Sequence, residues 1–196
     1  MTKHLSPESS DPDPLALLWT VGHSTHSAEE FNKILKAHEI ANLVDVRTFP
    51  GSRRYPQFNK PELADALKLV GIKYFHLPAI GGRRRAVPNS KNTAWRNASF
   101  QAYADHMETE EFKDGIRQLS TLAVEGRTAI MCAEALWWRC HRGLIADYLK
   151  FRGWLVLHIM NETHEESHPY TSAAKIVNGE LSYAGEVGAK QLDLEL

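Results

Sequence analysis

Cysteine is scarce in this chain, with 2 among 196 residues. That excludes a small scaffold stapled by several disulfides, and a zinc fold built on repeated cysteine pairs. No apolar run approaches the roughly 20 residues that a bilayer-spanning helix needs. The opening stretch MTKHLSPESSDPDP is polar and proline-rich and lacks the apolar core of a secretory signal. A soluble, cytoplasmic protein with no membrane partner is therefore expected. Neither sign of charge dominates, since the formal net charge is -1. Affinity for nucleic acid or phosphate would have to come from local clusters rather than from the whole surface. The G-x-x-x-x-G-K-[ST] phosphate loop is missing, and no internal repeat is visible.

What is present suits one folded domain. The length is that of a single domain, and 43% of residues are apolar, enough for a sizeable core. Residues 1–14 read as a flexible tail, 15–185 as the domain and 186–196 as a second tail. LALLWTVG is an apolar run ending in glycine, as a buried strand would be. In the helical stretch that follows, Phe31, Ile34, Leu35 and His38 share a face, and Ser27 and Glu30 have the spacing of a capping box. NLVDVRTFP reads as a strand stopped by Pro50. NKPELADALKLVG reads as a helix with Asn59 as N-cap, Pro61 in its first turn and Gly71 past its end. IKYFHLP, RTAIMCA and WLVLHIM are further strands. Helices are expected around SFQAYADHM, TEEFKDGIRQLSTLAVEG and HRGLIADYLKFRG, and a short one at PYTSAAKIV. The polar stretch between residues 79 and 98 is too long for a routine connection and reads as a functional or mobile loop.

Strands alternating with helices predict a single-domain α/β fold, a mainly parallel sheet with helices on both faces. In such sheets ligands bind beyond the carboxyl ends of the strands. The expected strand ends carry His23 and Ser24, Asp45 and Arg47, His76, Cys132 and Glu134, and His158. Nearly every strand ends in a residue capable of chemistry.

MCAEALWWRCHRGL holds both cysteines with seven residues between them. Cys132 sits where a strand runs out. Cys140, His141 and Arg142 sit where a helix begins, and a helix N-terminus offers free N–H groups that bind anions and favour a thiolate. The segment can be a nucleophilic or phosphate-cradling loop. Cys132 can equally be a small buried apolar residue. A metal clip would need further ligands, such as His23 or His158. A structural disulfide is disfavoured in a reducing compartment. In DVRTFPGSRRYPQFN, Arg47, Arg53 and Arg54 can form a cationic rim, or Asp45 can pair with Arg47 for structure. GGRRR, residues 81–85, is either a solvated basic loop or a phosphate-contacting flap. Trp95, Trp137 and Trp138 can stack on a base or pack on the core.

TVGHSTHSAEEF, LVDVRTFPGSRRYPQFN, IKYFHLPAIGG, IMCAEALWWRCHRGLIADYL and VLHI, followed by HPYTSAA and GELSY, resemble the family of unknown function called DUF488. The resemblance runs in order over about residues 18–184. It implies site positions at His23, Ser24, Asp45, Arg47, Pro50, Ser52, Arg53, Phe58, Gly81, Gly82, Cys132, Glu134, Cys140, His141, Arg142 and His158. Trp137 and Trp138 stand where smaller or polar residues are expected. A strand ending in cysteine, then an arginine-bearing loop and a helix, is also similar in layout to rhodanese-like domains, with Arg139 one position later than that spacing places it.

The leading expectation is an enzyme acting on an anionic, phosphate-bearing or nucleotide-like ligand. Arg47, Arg53 and Arg142 would hold the anion, with His23, Ser24, Asp45, Ser52 and His158 beside it. Glu134 or His141 would move protons, and Cys132 or Cys140 would be the nucleophile. The rivals are a non-catalytic nucleic-acid-binding module and a thiol-based metal or redox sensor. The sequence specifies no cofactor and no oligomeric state.

Overall fold

The computed structural model describes residues 16–185. The segments expected as tails, residues 1–14 and 186–196, lie outside the described residues. Among the described residues, eight strands and five α-helices follow one another in chain order. They are β1 (Leu17–Gly22), α1 (Ala28–Ala37), β2 (Asn42–Asp45), α2 (Lys60–Leu69), β3 (Lys73–His76), α3 (Ala98–Met107), α4 (Glu110–Glu125), β4 (Thr128–Cys132), α5 (Arg142–Phe151), β5 (Leu155–Ile159), β6 (Glu165–Ser167), β7 (Lys175–Val177) and β8 (Glu180–Ser182). The main sheet runs β3-β2-β4-β1-β5-β6 and is parallel except at β6. The expected α/β fold is present.

The period of two along each strand divides the interior into two cores. Trp19, Val21, Leu43, Ala129 and Met131 face α1 and α2, meeting Phe31, Leu35, Leu63 and Leu67. Leu18, Val44, Ile130 and Val156 face the other way, meeting Phe112 and Leu119 of α4 and Leu144, Ile145 and Leu149 of α5. The chain moves outward from β1 to β2 and β3, then returns to insert β4 between β1 and β2 before crossing to β5. That reversal leaves a crevice at the carboxyl ends of β1, β2 and β4, where open α/β sheets bind ligands.

Local chemistry explains the boundaries. The capping box at α1 forms, with Ser27 accepting from the Glu30 N–H and Glu30 accepting from the Ser27 N–H. Asn59 is the N-cap of α2, but its side-chain oxygen accepts from the Ser52 N–H at 2.6 Å, pinning the preceding loop. The second strand is shorter than the pattern NLVDVRTFP suggests. Asp45 turns its carboxylate back to accept the Arg47 N–H, a local bond that competes with the ladder.

The helix expected at PYTSAAKIV is replaced by a turn and the β7–β8 hairpin. Its two-residue loop is Asn178-Gly179, both at positive φ, which is the turn chemistry a tight hairpin demands. The long polar stretch is fastened at several points. Arg84 reaches the Gly81, Pro78 and Ala79 carbonyls and Glu111, while Asn92 donates to Asp105.

Gly22, at the end of β1, lies directly against the Glu134 carbonyl, and a Cβ there would fall on that oxygen. Gly22→Ala must push the Cys132 loop off the sheet. A loss of about 1–3 kcal/mol is expected for such overpacking, read as a lowered urea midpoint with unchanged slope. An unaltered midpoint would show that the loop yields freely.

Candidate functional site

The crevice is a cavity of about 750 Å³ whose floor includes His23, Arg47, Cys132 and Cys140. Two polar clusters lie beneath it, one on each side of the sheet, because Asp45 and His23 face α1 and α2 while Thr20, Cys132 and His158 face α5.

On the first side Asp45 is fully buried and saturated. It accepts from the Arg47 backbone, from Arg47 Nε at 2.9 Å and Nη2 at 2.6 Å, and from Tyr74 Oη at 2.8 Å. Arg47 also donates to the Phe58 carbonyl and approaches His23 Nε2 at 3.3 Å. His23 stacks on Phe58 with ring centroids 4.1 Å apart, and its Nδ1–H donates to the Ser24 carbonyl. Its Nε2 is thus left as the acceptor facing Arg47. Burial, followed by the Arg47 charge, pushes the His23 pKa down to about 4. Asp45 is therefore a support that fixes Arg47, and His23 is a neutral imidazole. Ser24, with a φ of 48°, turns the chain out of β1 while its N–H holds the Ala133 carbonyl.

On the second side the cysteines are free and their Sγ atoms are 2.8 Å apart. Cys140 Sγ stands at the start of α5, where His141 supplies no capping side chain. The sulfur receives the Arg142 N–H at 3.5 Å in place of a capping oxygen, and His141 Nδ1 lies 3.4 Å away. His141 Nε2–H donates to the Val46 carbonyl, which orients the ring. Gly82 packs on that ring so closely that a Cβ would strike it.

The two thiols differ in their titration. Burial pushes the Cys132 thiol well up, and its hydrogen bond to Cys140 adds to this. Burial alone would raise Cys140 as well. The bond from Cys132, His141 and the Arg142 charge outweigh it, so Cys140 lies well below the ordinary thiol range. The arrangement is a Cys132 thiol donating to a Cys140 thiolate.

Arg142 is 1% exposed, so it stands under the cavity floor and not in its wall. Burial opposes its charge, but the adjoining sulfurs of Cys132 and Cys140 outweigh burial and raise its pKa. Its Nη2 donates to the Glu134 carbonyl at 2.6 Å and to the Ala135 carbonyl. Its Nη1 donates to Thr20 Oγ1 at 3.2 Å and starts a buried relay. Thr20 Oγ1 meets His158 Nδ1 at 2.7 Å, His158 Nε2 meets His168 Nδ1 at 2.9 Å, and His168 Nε2 meets Asp147 Oδ1 at 2.9 Å. The links run in one unbroken chain from the Arg142 guanidinium to the Asp147 carboxylate. Asp147 also accepts from the Thr171 N–H, Thr171 Oγ1 and Tyr183 Oη. Burial, then His168 and Arg142, push the His158 pKa down to about 2.

The expected site residues therefore separate into three groups. Cys132, Cys140, His141, Glu134, Ser52, His23 and Arg47 line the cavity. Arg142, His158 and Asp45 are buried supports. Ser24 and Arg53 do not line the cavity, and Arg53 is exposed on the loop. Arg139 and Arg83 reach the wall where Arg53 and Arg142 were expected, and Phe49, Tyr55 and Phe100 add aromatic surface. Trp137 packs inward, stacked on His158 with centroids 4.3 Å apart and planes 6° from parallel, while Trp138 is exposed. Both nitrogens of His23 and of His158 are engaged by protein groups. Among the described residues no three His, Cys, Asp or Glu side chains converge as a set able to hold a metal ion, and no helix is long and apolar enough to cross a membrane.

Thr20, Asp147 and His168 were not legible as site residues. Asp147 left one trace, a carboxylate in the apolar stripe of α5 between Leu144, Ile145 and Leu149.

The two buried neutral histidines make stability fall in acid. Unfolded, each takes up a proton near pH 6.5. Folded, neither does until pH has fallen to about 4 for His23 and about 2 for His158. Below pH 6.5 the unfolded state binds more protons, so each histidine removes up to about 1.4 kcal/mol of stability per pH unit. Denaturant melts from pH 7 to 4.5 should show this decline, with a shallower slope in His158→Gln. A pH-independent profile would mean that these histidines are charged in the fold.

The model of the family described as "Domain of unknown function DUF488" matches residues 27–149. The match takes in both cysteines, the Asp45–Arg47 pair and Arg142, while His23 and His158 flank it. No curated protein and no solved structure matches the chain. With its family model covering more than half its length, the chain belongs to the DUF488 family.

Proposed function

We propose that the protein is an enzyme acting on an anionic, phosphate-bearing ligand, with Cys140 as its nucleophile. One observation carries this reading: a thiolate-favouring sulfur opens into a cavity whose wall is cationic and partly aromatic. The Cys140 Sγ combines the α5 N-terminus, His141 and Arg142 around one atom. Such surroundings are those of a reactive rather than an inert cysteine. Arg139 and Arg83 are the cations free to meet a phosphate, because Arg84 is spent on carbonyls and Glu111 and Arg47 on Asp45. Phe49, with Arg83 at 5.9 Å from its ring, offers a stacking face for a nucleotide-like group. Glu134 is the sole carboxylate among the lining residues, which makes it the group to move protons.

Timed iodoacetamide labelling with peptide mass spectrometry should find Cys140 alkylated first, at least about tenfold faster than Cys132 at pH 7. Inorganic phosphate, pyrophosphate or adenosine monophosphate should protect Cys140. Arg139→Ala and Arg83→Ala should each weaken that protection by about 1.5 kcal/mol, roughly tenfold in Kd. A faster Cys132, or no protection by any of the three anions, would sink the proposal.

A further inference from the structure

We propose that Cys132 and Cys140 form an oxidising dithiol–disulfide couple, exchanging two electrons with small thiols and disulfides that enter the cavity. Nucleophilic attack by Cys140 on a ligand needs only one sulfur, yet a second stands 2.8 Å from the first. A disulfide bond is about 2.0 Å long, so closure asks little movement of the sulfurs. Both sulfurs line the cavity, although the residues are only 3% and 5% exposed. A small co-reactant can approach where a folded protein cannot.

The balance is that of ordinary exchange. The Cys140 thiolate attacks a small disulfide RSSR, forming a Cys140–S–S–R bond and releasing RS⁻. Cys132 gives up its proton, and its sulfur attacks Cys140 Sγ, expelling the second RS⁻. The two released thiolates take up one proton from Cys132 and one from solvent. The solvent proton replaces the one Cys140 had already lost. The protein loses two electrons and RSSR gains them.

The direction of the couple follows from charge. Arg142 is buried with its Nε lacking a hydrogen-bond partner, and the Cys140 thiolate, to which the Cys132 thiol donates, is the anionic group that sustains its charge. A disulfide carries no charge, so oxidation strips the guanidinium of that compensation. Stabilising the reduced form makes a couple oxidising, so the bond opens readily to thiols. This inference stands on the sulfur pair and Arg142, independently of the anionic ligand.

The test is a titration of the full chain in reduced and oxidised glutathione mixtures, quenched by alkylation and read by intact mass. Both thiols should disappear together in one reversible transition, with the mass of two hydrogens lost and no mixed disulfide accumulating. Cys132→Ser should instead stop with one glutathione on Cys140. Arg142→Met should move the midpoint at least about tenfold toward more reducing mixtures. If that variant does not fold, His141→Gln should move it the same way. A mixed disulfide that persists in the unaltered chain, a disulfide that reduced glutathione does not reopen, thiols that never react, or an unmoved midpoint in a folded variant would each overturn the proposal. Phosphate protection of Cys140, measured on the same reduced protein, reports on the anion site alone, so either reading can fail without the other.

Discussion

A guanidinium shut away from water must find its counter-charge inside the protein, and much of this structure is arranged around that need. Arg142 has the Cys140 and Cys132 sulfurs on one side and the carbonyls of Glu134 and Ala135 beneath the loop. Through Thr20, His158 and His168 it is joined to the buried carboxylate of Asp147. An uncompensated buried charge costs several kcal/mol, so these partners are constrained together. The Cys132 loop takes its shape from the two carbonyls. The helix start takes its place from the sulfur that caps it. The segment after β6 is tied down through Asp147, which holds Thr171 and Tyr183.

The sheet keeps a second polar cluster apart from this one. Alternation along β1 and β2 sends Asp45 and His23 to the α1 and α2 side, and Thr20 and Cys132 to the α5 side. Two arginines, Arg47 and Arg142, thus lie under one cavity without lying against each other. Arg47 is neutralised in place by Asp45 at 2.6 Å, whereas Arg142 is balanced largely by titratable sulfur. The chemical difference follows. The first cluster holds Arg47 in place, and the second contains the two thiols.

Close backbone approach is the other condition for the cavity. Gly22 lets the Glu134 carbonyl lie against β1, and Gly82 lets the polar loop rest on His141. Backbone bonds from His23 and Ser24 to the Cys132 and Ala133 carbonyls continue the sheet into the loop. The thiol pair is therefore presented by rigid structure, though it belongs to a connection between elements.

Local pattern sufficed for the five parallel strands, the five α-helices and the cavity's position, but not for β6 or the β7–β8 hairpin. Apolar period, the Ser27–Glu30 capping box and the polar strand ends are all short-range signals, and short-range physics sets them. It also sufficed to bring Cys132, Cys140 and His141 to one place. It failed at PYTSAAKIV, where the Asn178-Gly179 turn was the stronger signal and was passed over. It failed also for Arg142 and His158, which were expected to touch ligand. Their residue types suit an anion site, but only the crossing of α5 over β1 and β5 puts them under the floor. Asp147 and His168 meet because the segment after β6 folds back on α5, where His168 and Tyr183 reach the Asp147 carboxylate. Sequence alone determined which residues could do chemistry. Tertiary structure decided which sulfur is the thiolate and which arginines meet solvent, because burial and counter-charge are properties of what surrounds a residue rather than of the residue itself.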